Sequence, residues 1–319
     1  MPTAGHRSVG ISHVAYRLPR SPKTLPALKR SKQIRSSVKF LHELGFTYSY
    51  LAEEPDRFDE LLIGAAEEAI ADSGHSAAQI GTLFLYSGLN SAAAGSRSAG
   101  ILERFRYPVA RLADRLKLPH ANAMALSQQG CSGLLSAINL AARMVQAGDP
   151  PAALCVAGDA LPKNANREIM YNVMSDAAAA VVVERGSPRN QIVSFHQLGQ
   201  PAYWDSPQQE RELIAAYFPM AQRAICGAIE QAGLRLSDIR WIVPSNVSLR
   251  SWTILAELLG IPATRIWSKN IARVGHTVCC DHIINLRDMS REGALTTGDH
   301  LLLFTFGFGA SWTSLILQH

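Results

Sequence analysis

A cysteine beside two glycines is the residue of this sequence best suited to covalent chemistry. Cys131 lies in the stretch 128–133, QQGCSG, directly before residues whose apolar members recur every three or four positions. That spacing predicts a helix starting near Cys131. Unpaired N–H groups at a helix start stabilise a thiolate, the form of cysteine that attacks acyl groups. Gly130 permits a sharp turn and Gly133 the close approach of another segment. A buried, inert cysteine is the alternative that this motif leaves open.

The other cysteines do not indicate a metal site or a disulfide framework. The chain has five cysteines, an odd number, without a CxxC spacing. Cys155 and Cys226 fall in apolar patterns, which predicts that they are buried packing residues. The adjacent pair Cys279 and Cys280 is a poor source of two ligands for one metal, and no His/Cys cluster has the spacing of a zinc site. We therefore expect no metal and no cofactor.

The elements that position Cys131 occur twice along the chain. Residues 62–91 predict an alanine-rich helix, a short turn and an apolar strand, and residues 223–246 predict the same order. A second helix is then predicted in each half, from Gly130 to about Asp149 and from Gly275 to about Asp299. The remaining strands are predicted at 9–14, 152–157 and 178–183 in the first half, and at 191–195, 301–306 and 311–317 in the second.

This repeat predicts an α/β protein made of two similar halves, residues 1–188 and 189–319. Continuous apolar strands are typical of sheets that helices cover on both faces. Two such halves related by a pseudo-dyad bring equivalent helix starts together. Cys131 and His276 occupy those matching positions, and a histidine beside a cysteine can take up the thiol proton.

The bulk properties narrow the class of protein. Of the 319 residues, 47% are hydrophobic and 18% charged, and the longest apolar runs are too short to cross a bilayer. The first residues lack an apolar signal region, so we expect a cytoplasmic protein without membrane association. The net charge is +5, but long basic runs with interleaved aromatics are absent, so nucleic acid is not an expected partner. The basic stretch 20–39 is either a solvated surface or a dock for an acidic partner or a phosphate-bearing donor.

Four segments resemble motifs of ketoacyl synthase III, an enzyme of the thiolase superfamily, in the same order along nearly the whole chain. They are residues 129–133 (QGCSG), 156–161 (VAGDAL), 176–181 (DAAAAV) and 306–312 (FGFGASW). The resemblance implies the thiolase fold, five layers in the order αβαβα made of two duplicated halves. It also implies a homodimer.

Two positions depart from the decarboxylating synthases of that family. Those enzymes carry a histidine in VPHQAN and an asparagine in HGNT, which together stabilise an enolate; here the residues are Ser245 and His276. A smaller branch, the ketosynthase III-like acyltransferases of natural-product pathways, shows this substitution and uses a Cys–His–Asp set. Its aspartate corresponds to Asp281, five residues after His276. Helix geometry alone does not select Asp281, because five residues turn about 140° around a helix.

The resemblance to this branch implies an acyltransferase. Cys131 would accept an acyl group from a carrier-protein or coenzyme A thioester, with the backbone N–H groups of Cys131 and Phe308 binding the oxyanion. His276, oriented by Asp281, would then deprotonate an alcohol or amine acceptor. Two alternatives are carbon–carbon condensation with His276 acting alone, and a non-catalytic partner subunit of a ketosynthase heterodimer. Retention of Cys131 and His276 argues against the second.

Other positions are candidate lining or binding residues of the site. Ser245 and His196 are candidates for the border of the site, although a strand-end histidine with a local hydrogen bond is the simpler reading of His196. Lys163 stands where the family's coenzyme A clamp has an arginine, and the clamp tryptophan is replaced near Lys39. The sequence therefore favours a carrier-protein donor, with Lys163 as a candidate phosphate contact. We expect residues from 19–50 and 92–107 to line a substrate tunnel.

Overall fold

The computed structural model describes residues 8–52, 55–89, 102, 105–148 and 150–319. The predicted tunnel segment 92–107 lies largely outside these ranges. The described helices are α1 (Leu25–Arg30), α2 (Val38–Glu43), α3 (Pro55–Ser73), α4 (Pro108–Arg115), α5 (Gly133–Ala147), α6 (Glu210–Gln231), α7 (Leu249–Leu259), α8 (Lys269–Arg273) and α9 (Asp281–Arg291). The described strands are β1 (Val9–Arg17), β2 (Pro22–Thr24), β3 (Tyr48–Tyr50), β4 (Ile80–Tyr86), β5 (Asn122–Leu126), β6 (Ala152–Asp159), β7 (Glu168–Ile169), β8 (Asn172–Val173), β9 (Ala177–Arg185), β10 (Gln191–Gly199), β11 (Ile239–Pro244), β12 (His300–Gly307) and β13 (Ser311–Gln318).

Nine of the described strands form one sheet in the order β11-β12-β13-β10-β1-β9-β6-β4-β5. In the first half β4 is parallel to β6, and β6, β9 and β1 follow in antiparallel pairs. In the second half β11 is parallel to β12, and β12, β13 and β10 follow in antiparallel pairs. A single pair, Gly10 opposite Gln191, joins the two halves. The duplication predicted from the sequence is therefore confirmed at the level of strand order and direction.

The two halves stack with α5 and α9 between them. The apolar faces of both helices share one hydrophobic core with β4, β6 and β9 on one side and β11, β12 and β13 on the other. A second core joins α3 and α4 to the outer face of the first half, and a third joins α6 and α7 to the outer face of the second. The layers are αβαβα, the predicted thiolase fold. The domain boundary at 188/189 falls between β9 and β10 and stays a prediction.

The strands are apolar along their whole length because both faces are covered. Every residue of β6 is buried, and residues 177–183 of β9 have no exposed surface. Small side chains on β9 allow helices to pack on both of its faces. This explains why alternation of polar and apolar residues, the usual mark of a strand with one wet face, is missing from the sequence.

Two predicted helix starts differ from the structure. Residues Gly130–Ser132 form a 3-10 turn, and the α-helix begins at Gly133. In the second half α9 begins at Asp281, not at Gly275, and ends at Arg291. Residues 276–280 form a turn instead, in which Val278 has a φ of +59°. Their apolar side chains are buried by neighbouring segments, so they resemble a helical face in the sequence without forming one.

Gly133 confirms the expected close approach of another segment. A Cβ atom there would lie 1.9 Å from Cζ of Tyr86, whose hydroxyl donates a 2.5 Å hydrogen bond to the carbonyl of Gly130. On the other side a Cβ atom at Gly307, the last residue of β12, would lie 2.2 Å from the carbonyl oxygen of Gln129. The turn that carries Cys131 is thus held between one strand from each half.

Replacement of Gly133 by alanine should destabilise the protein by about 1–3 kcal/mol, because its methyl group overlaps the Tyr86 ring and neither can move without breaking the contact with Gly130. Urea unfolding followed by circular dichroism measures the change. Gly199→Ala is the matched control, since a Cβ atom there meets none of the described atoms within 4 Å. Equal unfolding midpoints for the two variants would contradict the packing described.

Candidate active site

The structure brings Cys131 and His276 into direct contact. The Sγ atom of Cys131 lies 3.4 Å from Nε2 of His276, although 145 residues separate them. Both residues are buried, with exposed fractions of 7% and 5%. At this distance the imidazole can take up or return the thiol proton without an intervening water.

Asp281 supports the imidazole from its other side. Its Oδ2 atom lies 2.6 Å from Nδ1 of His276 and accepts a 2.7 Å hydrogen bond from the N–H of Asn246. The Oδ1 atom accepts hydrogen bonds from the N–H and the hydroxyl of Thr277, at 2.7 and 2.6 Å. A carboxylate in this position holds the proton on Nδ1 and leaves Nε2 to face the cysteine. The turn at 276–280 explains how a residue five positions away reaches the ring, which an α-helix would not allow.

The backbone of His276 is held by the segment before β9. Its N–H donates to the carbonyl of Val173 at 2.9 Å, and its carbonyl accepts from the N–H of Ser175 at 2.8 Å. Gly275 is required beside it, because φ is +81° and a Cβ atom would lie 2.9 Å from the same Val173 oxygen. The first half therefore positions the histidine that the second half contributes.

The charges of the pair stabilise one another. Burial lowers the pKa of His276, but the Asp281 carboxylate and Cys131 outweigh burial and raise that pKa well above its usual 6.5. Burial raises the pKa of the Asp281 carboxyl, but His276 and the hydrogen bonds from Thr277 outweigh burial and lower that pKa below its usual 3.8. The folded protein consequently favours an imidazolium–carboxylate pair.

The segment around Phe308 touches the turn that carries Cys131. Gly130 has a φ of +50°, and a Cβ atom there would lie 2.5 Å from the backbone nitrogen of Phe308, so the two segments touch. Apart from hydrogen bonds inside helices and strands, neither the N–H of Cys131 nor that of Phe308 donates to a backbone carbonyl of the described residues. The backbone nitrogen of Phe308 therefore lies against the turn that carries Cys131, and the oxyanion role of the two N–H groups stays a prediction.

A cavity of about 240 Å³ opens onto Cys131 and His276. Its wall is mainly aromatic and aliphatic, with a few polar side chains. The lining residues are Cys131, Ile169, Met170, Tyr171, Asn172, Leu213, Ile214, Tyr217, Phe218, Ser245, Val247, Ser251, His276, Phe306 and Phe308. An apolar cavity that ends at a thiol and a histidine suits an acyl chain or an apolar acceptor.

Of the other predicted positions, one lines the cavity and two do not. Ser245 lines the cavity directly after β11. His196 does not: it lies inside β10, which continues to Gly199, and its Nδ1 atom is 3.0 Å from Nε2 of Gln231 on α6. This contact agrees with the simpler prediction for His196, a local hydrogen bond, and the alternative, a place at the border of the site, is wrong because the side chain faces the outer helix. Lys163 is exposed in the turn after β6 and is not part of the cavity wall.

Sequence reasoning missed the contribution of α6. Tyr217 and Phe218 lie in the first half of this helix, directly before Pro219, and form part of the cavity wall. An aromatic pair beside a proline inside an otherwise regular helical pattern is a signal, but it does not indicate which cavity the rings face. The same helix carries Cys226, which is exposed and not buried as expected.

The described residues contain no group of three or more His, Cys, Asp or Glu side chains that could hold a metal ion. In the same ranges, none of the helices has the length and apolar character needed to span a bilayer.

The ion pair makes stability depend on pH in a way that Asp281→Asn should reveal. In the wild type the raised pKa of His276 contributes stability that is fully present below pH 6.5 and is lost as pH rises through the folded value. The lowered pKa of Asp281 contributes stability present above pH 3.8 and lost as pH falls through the folded value. The wild type should therefore exceed Asp281→Asn in unfolding free energy by the largest amount between pH 3.8 and pH 6.5. There the difference should be about 3 kcal/mol, as for a broken buried pair, and it should decrease at lower and at higher pH.

Chemical unfolding of both proteins across that pH range measures the gap. Glu292→Gln is a suitable control, because it removes an exposed ion pair with Lys269 and Arg273 and should change stability little. A gap between wild type and Asp281→Asn that stays constant with pH would show that His276 is not charged in the folded state.

Comparison with known proteins gives two family matches. The C-terminal model of 3-oxoacyl-[acyl-carrier-protein] synthase III matches residues 229–319, and the main model of the same synthase matches residues 127–200. Together they cover about half of the chain and include Cys131, His276 and Asp281. A β-ketoacyl-[acyl-carrier-protein] synthase III of Streptomyces coelicolor is 30% identical over 221 residues, which are 64% of this chain and 66% of that relative, just under two thirds of its length.

Solved structures share the whole fold. The 3-oxoacyl-[acyl-carrier-protein] synthase III of Aquifex aeolicus superposes with a TM-score of 0.83 at 21% identity, over 98% of this chain and 100% of that one. A structure described as the acyltransferase ChlB3 gives a TM-score of 0.83 at 20% identity, over 98% and 97%. With the duplicated αβαβα layers and the Cys131 turn, these matches show that the chain belongs to the ketoacyl synthase III-like family of the thiolase superfamily.

Proposed function

We propose that this protein is an acyltransferase that moves an acyl group from a thioester through Cys131 to an alcohol or amine. The observation that carries this proposal is the hydrogen-bonded series Cys131, His276 and Asp281, in which the histidine has a buried carboxylate behind it and a thiol in front. Such a series suits repeated proton transfer, which the transfer of an acyl group to a hydroxyl or amine requires.

In the first half-reaction the Cys131 thiolate attacks the thioester carbonyl carbon, and the N–H groups of Cys131 and Phe308 bind the developing oxyanion. A new bond forms between Sγ and the acyl carbon, and the bond to the carrier sulfur breaks. The imidazolium of His276 gives its proton to the departing thiolate, so that the carrier leaves as a thiol. Cys131 then holds the acyl group and His276 is neutral.

In the second half-reaction the neutral imidazole takes the proton from the acceptor hydroxyl or amine as it attacks the acyl carbon. A bond forms to the acceptor oxygen or nitrogen, the bond to Sγ breaks, and Cys131 leaves as a thiolate. Asp281 stabilises the imidazolium in both steps, which returns the pair to its starting charge. The proposed route draws only on side chains and N–H groups of this chain, so it requires no resident cofactor.

The donor in this proposal is an acyl carrier protein, with coenzyme A as the second choice. The basic stretch 20–39 is exposed at Lys29, Arg35 and Lys39, among others, and would attract an acidic carrier. This stretch adjoins the cavity, because Phe40 packs edge-to-face on the lining residue Tyr171 at 5.5 Å. Lys163 is kept as a candidate phosphate contact. The homodimer, the cytoplasmic location and a role in natural-product biosynthesis remain expectations.

Carbon–carbon condensation is the second candidate, because the named relatives are ketoacyl synthases. Condensation by decarboxylation needs groups that stabilise an enolate. Ser245 supplies a weak hydrogen-bond donor where those synthases have a histidine, and His276 already has a role as the base. We therefore favour acyl transfer.

Incubation with acyl carrier protein loaded with a medium-chain acyl group should add the mass of one acyl group to the protein. Cys131→Ala should abolish the adduct, because it removes the attacking sulfur. Cys226→Ala is the matched control, since Cys226 is exposed and is not one of the residues that line the cavity. Intact-mass spectrometry reads both. An adduct that persists in Cys131→Ala would show that the acyl group is not attached to Cys131.

The acyl-enzyme should then discharge to alcohols or amines, and His276→Gln should slow this step about 10²–10⁴-fold by removing the general base. The loss of the adduct mass with time measures the rate, and the unfolding midpoint of the variant shows that it is folded. Discharge by a malonyl thioester with release of carbon dioxide, without discharge by alcohols or amines, would replace acyl transfer by condensation.

A further inference from the structure

Two hydroxyl groups of the cavity wall, on side chains that are not exposed, have no hydrogen-bond partner among the described residues. Ser245 and Tyr217 both line the wall that contains Cys131 and His276. The backbone of Ser245 is fully engaged: its N–H donates to Phe304 at 3.3 Å, and its carbonyl accepts from the indole of Trp252 at 2.9 Å. The Ser245 hydroxyl has no hydrogen-bond partner among the described residues.

Tyr217 presents the same situation from α6. Its ring is fixed edge-to-face against Phe218 and Phe306, with centroids 5.0 and 5.7 Å apart, and its carbonyl accepts from the indole of Trp312 at 3.2 Å. No described residue bonds to its hydroxyl. Burial, and then Cys131, raise the pKa of this phenol, so it is a neutral donor at any physiological pH.

The side chains of Asn172 and Ser251 on the same wall have partners, and the hydroxyl of Tyr171, which has none among the described residues, belongs to an exposed side chain. The side-chain oxygen of Asn172 accepts from the N–H of Ser248 at 2.8 Å, and its amide donates to the carbonyl of Ile169 at 3.2 Å. The hydroxyl of Ser251 lies 2.9 Å from that of Ser248. Ser245 and Tyr217 are therefore the less exposed wall residues whose hydroxyls find no partner in the described part of the chain.

Solvent reaches both hydroxyls, but each lies in a largely apolar wall in which the described residues offer it no partner. A ligand group that bonds to either hydroxyl takes the place of water there and gains a hydrogen bond. The acyl group is held covalently on Cys131 in the intermediate, whereas the acceptor is held by non-covalent contacts alone. Its orientation toward the imidazole therefore depends on hydrogen bonds of this kind.

We propose that the hydroxyls of Ser245 and Tyr217 bind a second polar group of the acyl acceptor and so select acceptors that carry one. The acceptor is then an alcohol or amine with an apolar or aromatic skeleton that carries a further hydroxyl, carbonyl or carboxylate group. This inference rests on the proposed acyl transfer. It makes Ser245 a recognition residue in place of the lost synthase histidine, and Tyr217 a specificity residue supplied by α6.

The test compares two probes, 2-phenylethanol and 2-(4-hydroxyphenyl)ethanol, as acceptors for the acyl-enzyme. In the wild type the second probe should discharge the adduct at a rate at least about tenfold higher per unit concentration, which corresponds to one hydrogen bond of 1.4 kcal/mol. Tyr217→Phe and Ser245→Ala should each lower this preference, raise the KM for the hydroxylated probe about tenfold, and leave the rate of acylation of Cys131 unchanged.

Tyr203→Phe is the matched control, because Tyr203 also packs against the outer core of the second half but does not line the cavity. Unchanged acceptor kinetics in both cavity variants would overturn the inference. Acylation slowed as much as discharge would also overturn it, by assigning the hydroxyls to the donor. A wild-type acyl-enzyme that neither probe nor any other alcohol or amine discharges would instead remove the proposed function itself, and this result needs no variant to be seen.

Discussion

The buried ion pair between His276 and Asp281 constrains the rest of the site. Taking a carboxylate with no exposed surface out of water costs several kcal/mol unless its oxygens are fully bonded. Asp281 meets this requirement through His276, Thr277 and the N–H of Asn246, which come from two separate segments. Because α9 starts only at Asp281, the preceding residues are free to turn back and place the imidazole over its first turn. The position of His276 therefore depends on α9 beginning at Asp281 and not earlier.

The turn between the two residues is itself held under strain. Val278 adopts a left-handed φ of +59°, which a β-branched residue rarely does and which costs about 1–3 kcal/mol. Its side chain packs with Cys131 and Met174 in a small cluster, and a Cβ atom at Gly88 would lie 2.6 Å from it. Contacts from the first half thus support the turn of the second, in the same way that residues 173–175 hold the backbone of His276.

The duplicated fold divides the chemistry between its halves. The first half contributes Cys131, on the turn before α5; the second contributes His276, Asp281 and the N–H of Phe308. Glycine at positions 133 and 307 lets strands from both halves approach the Cys131 turn closely, so its geometry is set from two directions. On such a scaffold, the proposed acyl transfer would need only the exchange of an enolate-stabilising pair for Ser245 and His276, with the fold and the position of Cys131 kept.

Apolar periodicity in the sequence predicted the repeat and a sheet covered on both faces, because it is a local pattern. The five-layered order came from the family resemblance, and the glycine-flanked motif made Cys131 a candidate nucleophile while leaving an inert cysteine open. The pairing of Cys131 with His276 followed from the repeat, whereas Asp281 came only from a family resemblance. Periodicity wrongly started α9 at Gly275, since buried apolar residues look alike in a turn and in a helix. It also ended β10 at residue 195, whereas the strand continues to Gly199. Only the tertiary structure decided that Tyr217 of α6 faces the cavity and that, within the described ranges, its hydroxyl and that of Ser245 have no partner. Such facts depend on contacts between segments far apart in the chain, and no local pattern records them.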